Sequence, residues 1–321
     1  MTEPVIISNW KYGKSAISIG MGVLRKAGSA LDAVEYGIRS VEDDPSADSV
    51  GTGGIPNIEG VAELDASFMV GNTLRCGAVT GLTMTQYPIS VARKVMEINP
   101  HVMLGGNGST RFARATGFPE YQPVTPAALE KWKSLREKLF AGLKDQSKFE
   151  EYHAAVGYDS DLDSLARGIE MMAKAGELKQ LGTVGTLCLD ASGTIVAGTS
   201  TSGWALRLPG RVADSSVIGA GTYATPVGAS SSTGLGEISI RHGLTRSVCN
   251  FLEDGYPPTE ACEAALKKML RTEKVEVIMA LIALDRHGRV GGATTKESFS
   301  FQYQRLSETT MTEVVPTPVS L

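Results

Sequence analysis

TVGTLCLD-ASG-TIVAGTST, residues 183–201, reads as a β-hairpin, and the fold is read outward from it. Two runs rich in Thr, Val, Ile and Leu flank the turn Ala191-Ser192-Gly193, the pattern of paired strands around a tight connection. A second hairpin closes the chain, with runs at Val275–Asp285 and Arg289–Thr295 around Arg286-His287-Gly288. Between them lie Gly-rich loops and helices expected near Glu237–Leu252 and Pro258–Leu270. Strands, helices, helices and strands in that order predict an α+β fold with two packed sheets flanked by helices, an αββα sandwich.

N-terminal to this hairpin, Pro4–Ser8 (PVIIS) reads as a buried strand followed by a helical stretch to about Leu24. Ser29 is placed to cap a second helix whose Leu31, Val34, Ile38 and Val41 recur at helical spacing, ending in the acidic turn 42–45. Gly60–Val70 and Arg75–Thr83 read as paired strands around Gly71-Asn72, followed by a helix over Ile89–Ile98 and a Gly-rich loop, Gly105–Gly108. From about Gly117 to Leu181 no strand pattern is seen. Thr125-Pro126 starts a helix with Leu129, Trp132, Leu135 and Leu139 on one face, and Leu165, Ile169, Met172 and Leu178 suggest another. Residues 122–180 are read as a variable helical linker, and Ser307–Leu321 as a loose polar tail.

The composition narrows the function. The 321 residues are 42% hydrophobic and carry a net charge of −4 without a basic block, which argues against nucleic acid as the main partner. No run is long and apolar enough for a membrane-spanning helix, and no signal-peptide pattern opens the chain. Four scattered cysteines fit neither a disulfide scaffold nor a zinc motif, so a reduced, cytoplasmic setting is expected. The four histidines have no partner at ligand spacing, so zinc is not expected. Nucleophile-elbow, Walker, Rossmann and HExxH patterns are all missing.

What remains is a hydroxyl-rich segment from Thr183 to Thr233. A threonine hydroxyl hardly ionises at neutral pH, but it becomes a nucleophile when its own free α-amine, titrating near ~8, serves as base. That requires a cut before it, and Thr183 opens a strand directly after the linker; the plain alternative is a β-branched residue at a strand start. Arg211 and Asp214, three residues apart, suit the carboxylate and ammonium of one free amino acid, or else form a local ion pair. Ser232-Thr233-Gly234-Leu235-Gly236-Glu237 leads into a helix and offers either an oxyanion hole or a helix cap.

In chain order, several segments resemble the glycosylasparaginases within the N-terminal-nucleophile asparaginase family. They are SNW (Ser8–Trp10), GSALDAVEYGIRSVEDDP (Gly28–Pro45), SVGTGG (Ser49–Gly54), LDASFM (Leu64–Met69), ISVARKVME (Ile89–Glu97) and HVMLGGNG (His101–Gly108). The series continues with TVGTLCLD, GTSTSG (Gly198–Gly203), PGRVADS (Pro209–Ser215), IGAGTYA (Ile218–Ala224) and STGLGE (Ser232–Glu237). The resemblance implies one hydrolase domain with an αββα four-layer sandwich, cut by autoproteolysis between Gly182 and Thr183 into chains 1–182 and 183–321. It implies Thr183 as nucleophile and base, Thr201 as its support, and Thr233 with the Gly234 N–H as oxyanion hole. Arg211 would take the substrate carboxylate, Asp214 and the Gly236 carbonyl its amino group, and Trp10 and Ser49 would line the site.

The activity so implied is hydrolysis of the side-chain amide of a free N4-substituted asparagine through a threonyl ester, releasing aspartate, with neither a metal nor an organic cofactor. An isoaspartyl peptidase with L-asparaginase activity is the alternative; a different class is an unprocessed precursor that binds small amino acids. Paired heterodimers and a small asparagine derivative are the implied partners, with neither nucleic acid nor membrane. The sequence departs from the family at Leu181-Gly182, where members often carry His-Asp, and Trp204 has no assigned role.

Overall fold

The computed structural model describes residues 2–142, 182–275 and 277–320. The expected helix around Leu165–Leu178 lies outside the described residues, as does all of the linker from 143 to 180. In chain order the first part holds β1 (Val5–Asn9), α1 (Gly13–Leu24), α2 (Ala30–Glu42), β2 (Leu64–Val70) and β3 (Cys76–Leu82). It continues with α3 (Pro88–Ile98), β4 (Met103–Gly105), α4 (Gly106–Ala115) and α5 (Pro126–Gly142). The second part holds β5 (Val184–Leu189), β6 (Ile195–Thr201), a 3-10 turn (Asp214–Ser216), β7 (Thr222–Ala224) and β8 (Gly228–Gly234). Helices α6 (Gly236–His242), α7 (Leu244–Glu253) and α8 (Pro258–Leu270) follow, then β9 (Met279–Asp285), β10 (Val290–Thr294), β11 (Phe301–Arg305) and β12 (Thr312–Val314).

The strands form an eight-stranded sheet, β12-β11-β1-β5-β6-β2-β3-β4, and a four-stranded sheet, β10-β9-β8-β7. Ser29 caps α2 as expected, its hydroxyl accepting from the Asp32 N–H at 3.1 Å. Asp190, at the β5–β6 turn, accepts from the Ala30 N–H at 2.9 Å and so ties the hairpin to the start of α2. Buried residues in α1 (Ala16, Ile17, Gly20, Met21, Leu24) and α2 (Ala30, Ala33, Val34, Gly37, Ile38, Val41) recur at helical spacing. The helices approach closely because a Cβ on Gly37 would lie 2.7 Å from the Ala16 carbonyl oxygen.

Three apolar clusters follow the elements. One joins α1, α2 and α3 to the larger sheet; a second joins Val5, Ile7, Leu187 and Ala197 of that sheet to Ala229, Ala280 and Ile282 of the smaller one. A third joins the smaller sheet to α6, α7 and α8. Side chains alternate along a strand. Val184 and Cys188 therefore belong to the helix-side cluster and Leu187 to the sheet-side one. That alternation puts Thr183, one step outside β5, on the side of the smaller sheet.

Five expectations are corrected. Gly105–Gly108 is not a loop: it holds the end of β4 and the first turn of α4. Residues 60–63 precede β2, because Asn57–Gly60 closes a turn in which Gly60 takes φ +83°. The tail is anchored, since β12 pairs with β11 and the Val319 N–H donates to Thr294. Leu129 is 36% exposed, so the buried face of α5 rests on Leu135 and Leu139 instead. The expected helix at 237–252 is broken at Gly243, whose φ of +55° ends α6.

Candidate active site

Thr183 is buried at the end of β5. Its N–H donates to Thr233 Oγ1 at 3.3 Å, and the Trp10 indole N–H donates to the same oxygen at 2.9 Å. A hydroxyl has two lone pairs and one proton. With both lone pairs engaged by these donors, the Thr233 O–H is left to donate. Trp10 holds φ +59° and packs edge-on against Phe299 at 5.3 Å, which fixes the ring.

The residue before Thr183 is fitted to that indole. A Cβ on Gly182 would fall 2.7 Å from Trp10 Cδ1 and 2.8 Å from Nε1, closer than side chains approach. The Gly182 carbonyl accepts the Ser49 hydroxyl. Ser49, fully buried, is itself held by its carbonyl, which accepts from the Ser202 N–H at 2.7 Å and the Thr201 hydroxyl at 3.2 Å. Thr201 Oγ1 in turn accepts from the Gly203 N–H at 3.0 Å.

Arg211, Asp214 and Gly236 converge from three stretches of chain. A Cβ on Gly236 would meet Arg211 Nη2 and Asp214 Oδ1, each at 2.9 Å. Arg211 does not pair with Asp214, its neighbour in sequence; it forms a two-pronged bond to Glu237, Nε to Oε1 at 2.9 Å and Nη2 to Oε2 at 3.1 Å. Glu237 was not among the residues singled out from the sequence. Twenty-six positions separate it from Arg211, and no local spacing rule connects them. Trp204 lies against Arg211, whose guanidinium is 5.7 Å from its ring centre.

The electrostatics follow from burial. Burial pushes the Asp214 carboxyl up, and the bond from Ser232 Oγ at 2.7 Å and the Arg211 charge offset only part of that. For Glu237, burial also pushes upward, but the Arg211 charge and hydrogen bonds outweigh it and hold the carboxyl low. Arg211 stays firmly charged: burial opposes the cation, and the charge of Glu237 overcomes it.

Gly234 closes the set with φ +129°; a Cβ there would strike the Ile278 carbonyl oxygen at 2.2 Å. Thr233 and Gly234 thus occupy the end of a central strand, β8, and not a helix cap. Among the described residues no group of three or more His, Cys, Asp or Glu side chains is arranged to hold a metal ion. Among them, too, no helix is long and apolar enough to cross a membrane.

The comparisons place this α+β chain among the amide-bond hydrolases of the N-terminal-nucleophile class. The family model described as Asparaginase (Asparaginase_2) matches residues 8–314, and the chain belongs to this family. It is 40% identical to a plant-type L-asparaginase of Pyrococcus horikoshii, over 91% of this chain and 88% of the relative. It is 35% identical to an isoaspartyl peptidase/L-asparaginase of Homo sapiens, over 85% of this chain and 79% of the relative. To an N(4)-(Beta-N-acetylglucosaminyl)-L-asparaginase of Elizabethkingia miricola it is 34% identical, over 93% and 81%.

Proposed function

We propose that the chain cuts itself before Thr183 and then hydrolyses the side-chain amide of free L-asparagine or of a β-aspartyl peptide. The observation that carries this reading is the Thr183 N–H on Thr233 Oγ1, next to a braced Gly182–Thr183 bond. In the cut enzyme the freed amine takes the proton from Thr183 Oγ, which attacks the side-chain carbonyl carbon. The Thr233 hydroxyl and the Gly234 N–H stabilise the oxyanion. Its collapse expels ammonia or an amino acid and leaves a β-aspartyl ester, which water hydrolyses to aspartate with the same amine as base. Arg211 holds the α-carboxylate and Asp214, with the Gly236 carbonyl, the α-ammonium. Arg211, already gripping the carboxylate of Glu237, has the geometry for a second carboxylate.

The preference for asparagine or a β-aspartyl peptide over a glycosylated substrate draws on the relatives, since the plant-type L-asparaginase is the more similar of those compared. Glycosylasparagine is retained as the second reading, because the Elizabethkingia relative aligns over nearly the whole chain. Initial rates on asparagine, a β-aspartyl dipeptide and glycosylasparagine separate the two: the first two substrates should dominate. Faster turnover of glycosylasparagine would reverse the order.

The finer architecture belongs to the same proposal. The three apolar clusters support four layers, helices–sheet–sheet–helices. Four free cysteines, three of them buried, support a reduced compartment.

A further inference from the structure

We propose that Ser49 is a catalytic residue of the chain cut itself, acting as the electrophile that activates the Gly182–Thr183 peptide; this rests on the self-cleavage reading above. Its hydroxyl donates to the carbonyl oxygen of the bond that would be broken, 133 residues away in sequence. No other side-chain hydrogen bond to that oxygen is formed among the described residues.

The placement of Ser49 is rigid. The side chain is fully buried, and the Ser49 carbonyl is anchored from the far side by the Ser202 N–H and the Thr201 hydroxyl. The Trp10 ring blocks one side of the Gly182 Cα, as the 2.7 Å clearance for a Cβ demonstrates. The peptide is therefore braced at both of its ends: Ser49 on the Gly182 oxygen and Thr233 on the Thr183 nitrogen.

That arrangement matches the charge flow of an N-to-O acyl shift. Thr183 Oγ adds to the Gly182 carbonyl carbon, and negative charge develops on the oxygen that Ser49 already contacts. The C–N bond then breaks, and the hydroxyl proton ends on the Thr183 nitrogen, leaving an ester between Gly182 and Thr183 Oγ. Water adds to the ester, the C–O bond breaks, and the products are a Gly182 carboxylate, a released proton, and Thr183 with free hydroxyl and amine. Thr233 Oγ1, which accepts from the Thr183 N–H before the cut, is the oxygen placed to receive the freed amine after it.

The test is the time course of cutting of the full-length chain, followed by intact mass, for wild type, Ser49→Ala, Ser49→Cys and Thr183→Ala. Removing one oxyanion donor slows such a step by about 100-fold or more. Ser49→Ala should be slowed to that extent. Ser49→Cys should remain slow as well, because a thiol fills the space but donates weakly. A role in packing alone would be restored by the Cys variant, so cutting at the wild-type rate in Ser49→Cys overturns the assignment, as does a wild-type rate in Ser49→Ala. Should Ser49→Ala fail to fold, the near-isosteric Cys variant decides alone. Wild type cut before Thr183, with Thr183→Ala uncut, establishes self-cleavage independently. A wild-type chain that stays whole removes that reading, and the role of Ser49 falls with it.

Discussion

Gly182 lies so close to the Trp10 indole that a single added carbon would sit 2.7 Å from Cδ1. The two residues are therefore fitted to each other, and the glycine that departs from the His-Asp pattern has a steric reason to stand there. Trp10 occupies the space that a larger residue before Thr183 would need. Gly182→Ala should slow cutting at least about fivefold, since displacing the half-buried ring costs about 1–3 kcal/mol. The time course of intact mass checks this; a wild-type rate would mean that Trp10 moves aside freely.

The same Trp10 donates to Thr233 Oγ1 at 2.9 Å. Trp10→Phe keeps most of the ring and loses the donor, which should lower kcat about tenfold, near the worth of one hydrogen bond. If Trp10 acts through Thr233, the loss should be the same for asparagine, a β-aspartyl dipeptide and glycosylasparagine. A loss confined to glycosylasparagine would assign Trp10 to the leaving group.

Arg211 and Glu237 form a two-pronged pair beside Asp214. Arg211→Ala should raise KM for asparagine by about 100-fold, the value of about 3 kcal/mol for bonds to a charged group. Arg211→Lys should not restore it, because an ammonium lacks the planar fork. Steady-state kinetics decide: an unchanged KM in Arg211→Ala would remove Arg211 from substrate binding, and an unchanged KM in Arg211→Lys would show that charge alone suffices.

Glu42 predicts a pH dependence of stability. It is fully buried, and its Oε1 accepts from the Ser200 hydroxyl at 2.6 Å and the Ile89 N–H at 3.0 Å. Burial pushes its carboxyl from 4.5 up to about 8, and those two bonds only moderate the rise. The folded chain thus holds this proton more tightly than the unfolded one. Its contribution is complete below pH 4.5 and is lost as pH rises through about 8. Across that window stability should fall by up to about 1.4 kcal/mol per pH unit from this group. Glu42→Gln, which resembles the protonated acid, should remove that slope in denaturant titrations at several pH values; an unchanged slope would mean Glu42 is ionised in the fold.

Much of this architecture is legible in the sequence where patterning is strong. Ser29, PVIIS and the two hairpins announce themselves because capping and β-branched runs are local signals. The strand β8, GASSSTG, does not, because its residues are small and polar. It is central in its sheet, and Ser231 reaches across to Thr199 at 3.2 Å, so the close approach of the second sheet selects residues that propensity would assign to a loop. In β11 the alternation Phe301, Gln302, Tyr303, Gln304 was a readable signal that was missed. The candidate site divides the same way. Thr183, Thr233, Arg211, Asp214 and Gly236 stand out by residue type and order, whereas Glu237 and the bond from Ser49 to Gly182 depend on chain segments that meet only in the fold.

The most direct test of the central claim is the intact mass of the purified chain under denaturing conditions. Self-cleavage before Thr183 predicts two fragments of about 19 and about 15 kDa, apportioned by residue count, with threonine at the start of the smaller. A single 33.9 kDa chain that hydrolyses asparagine while uncut would contradict the account, because its threonine would have no free amine to act as base.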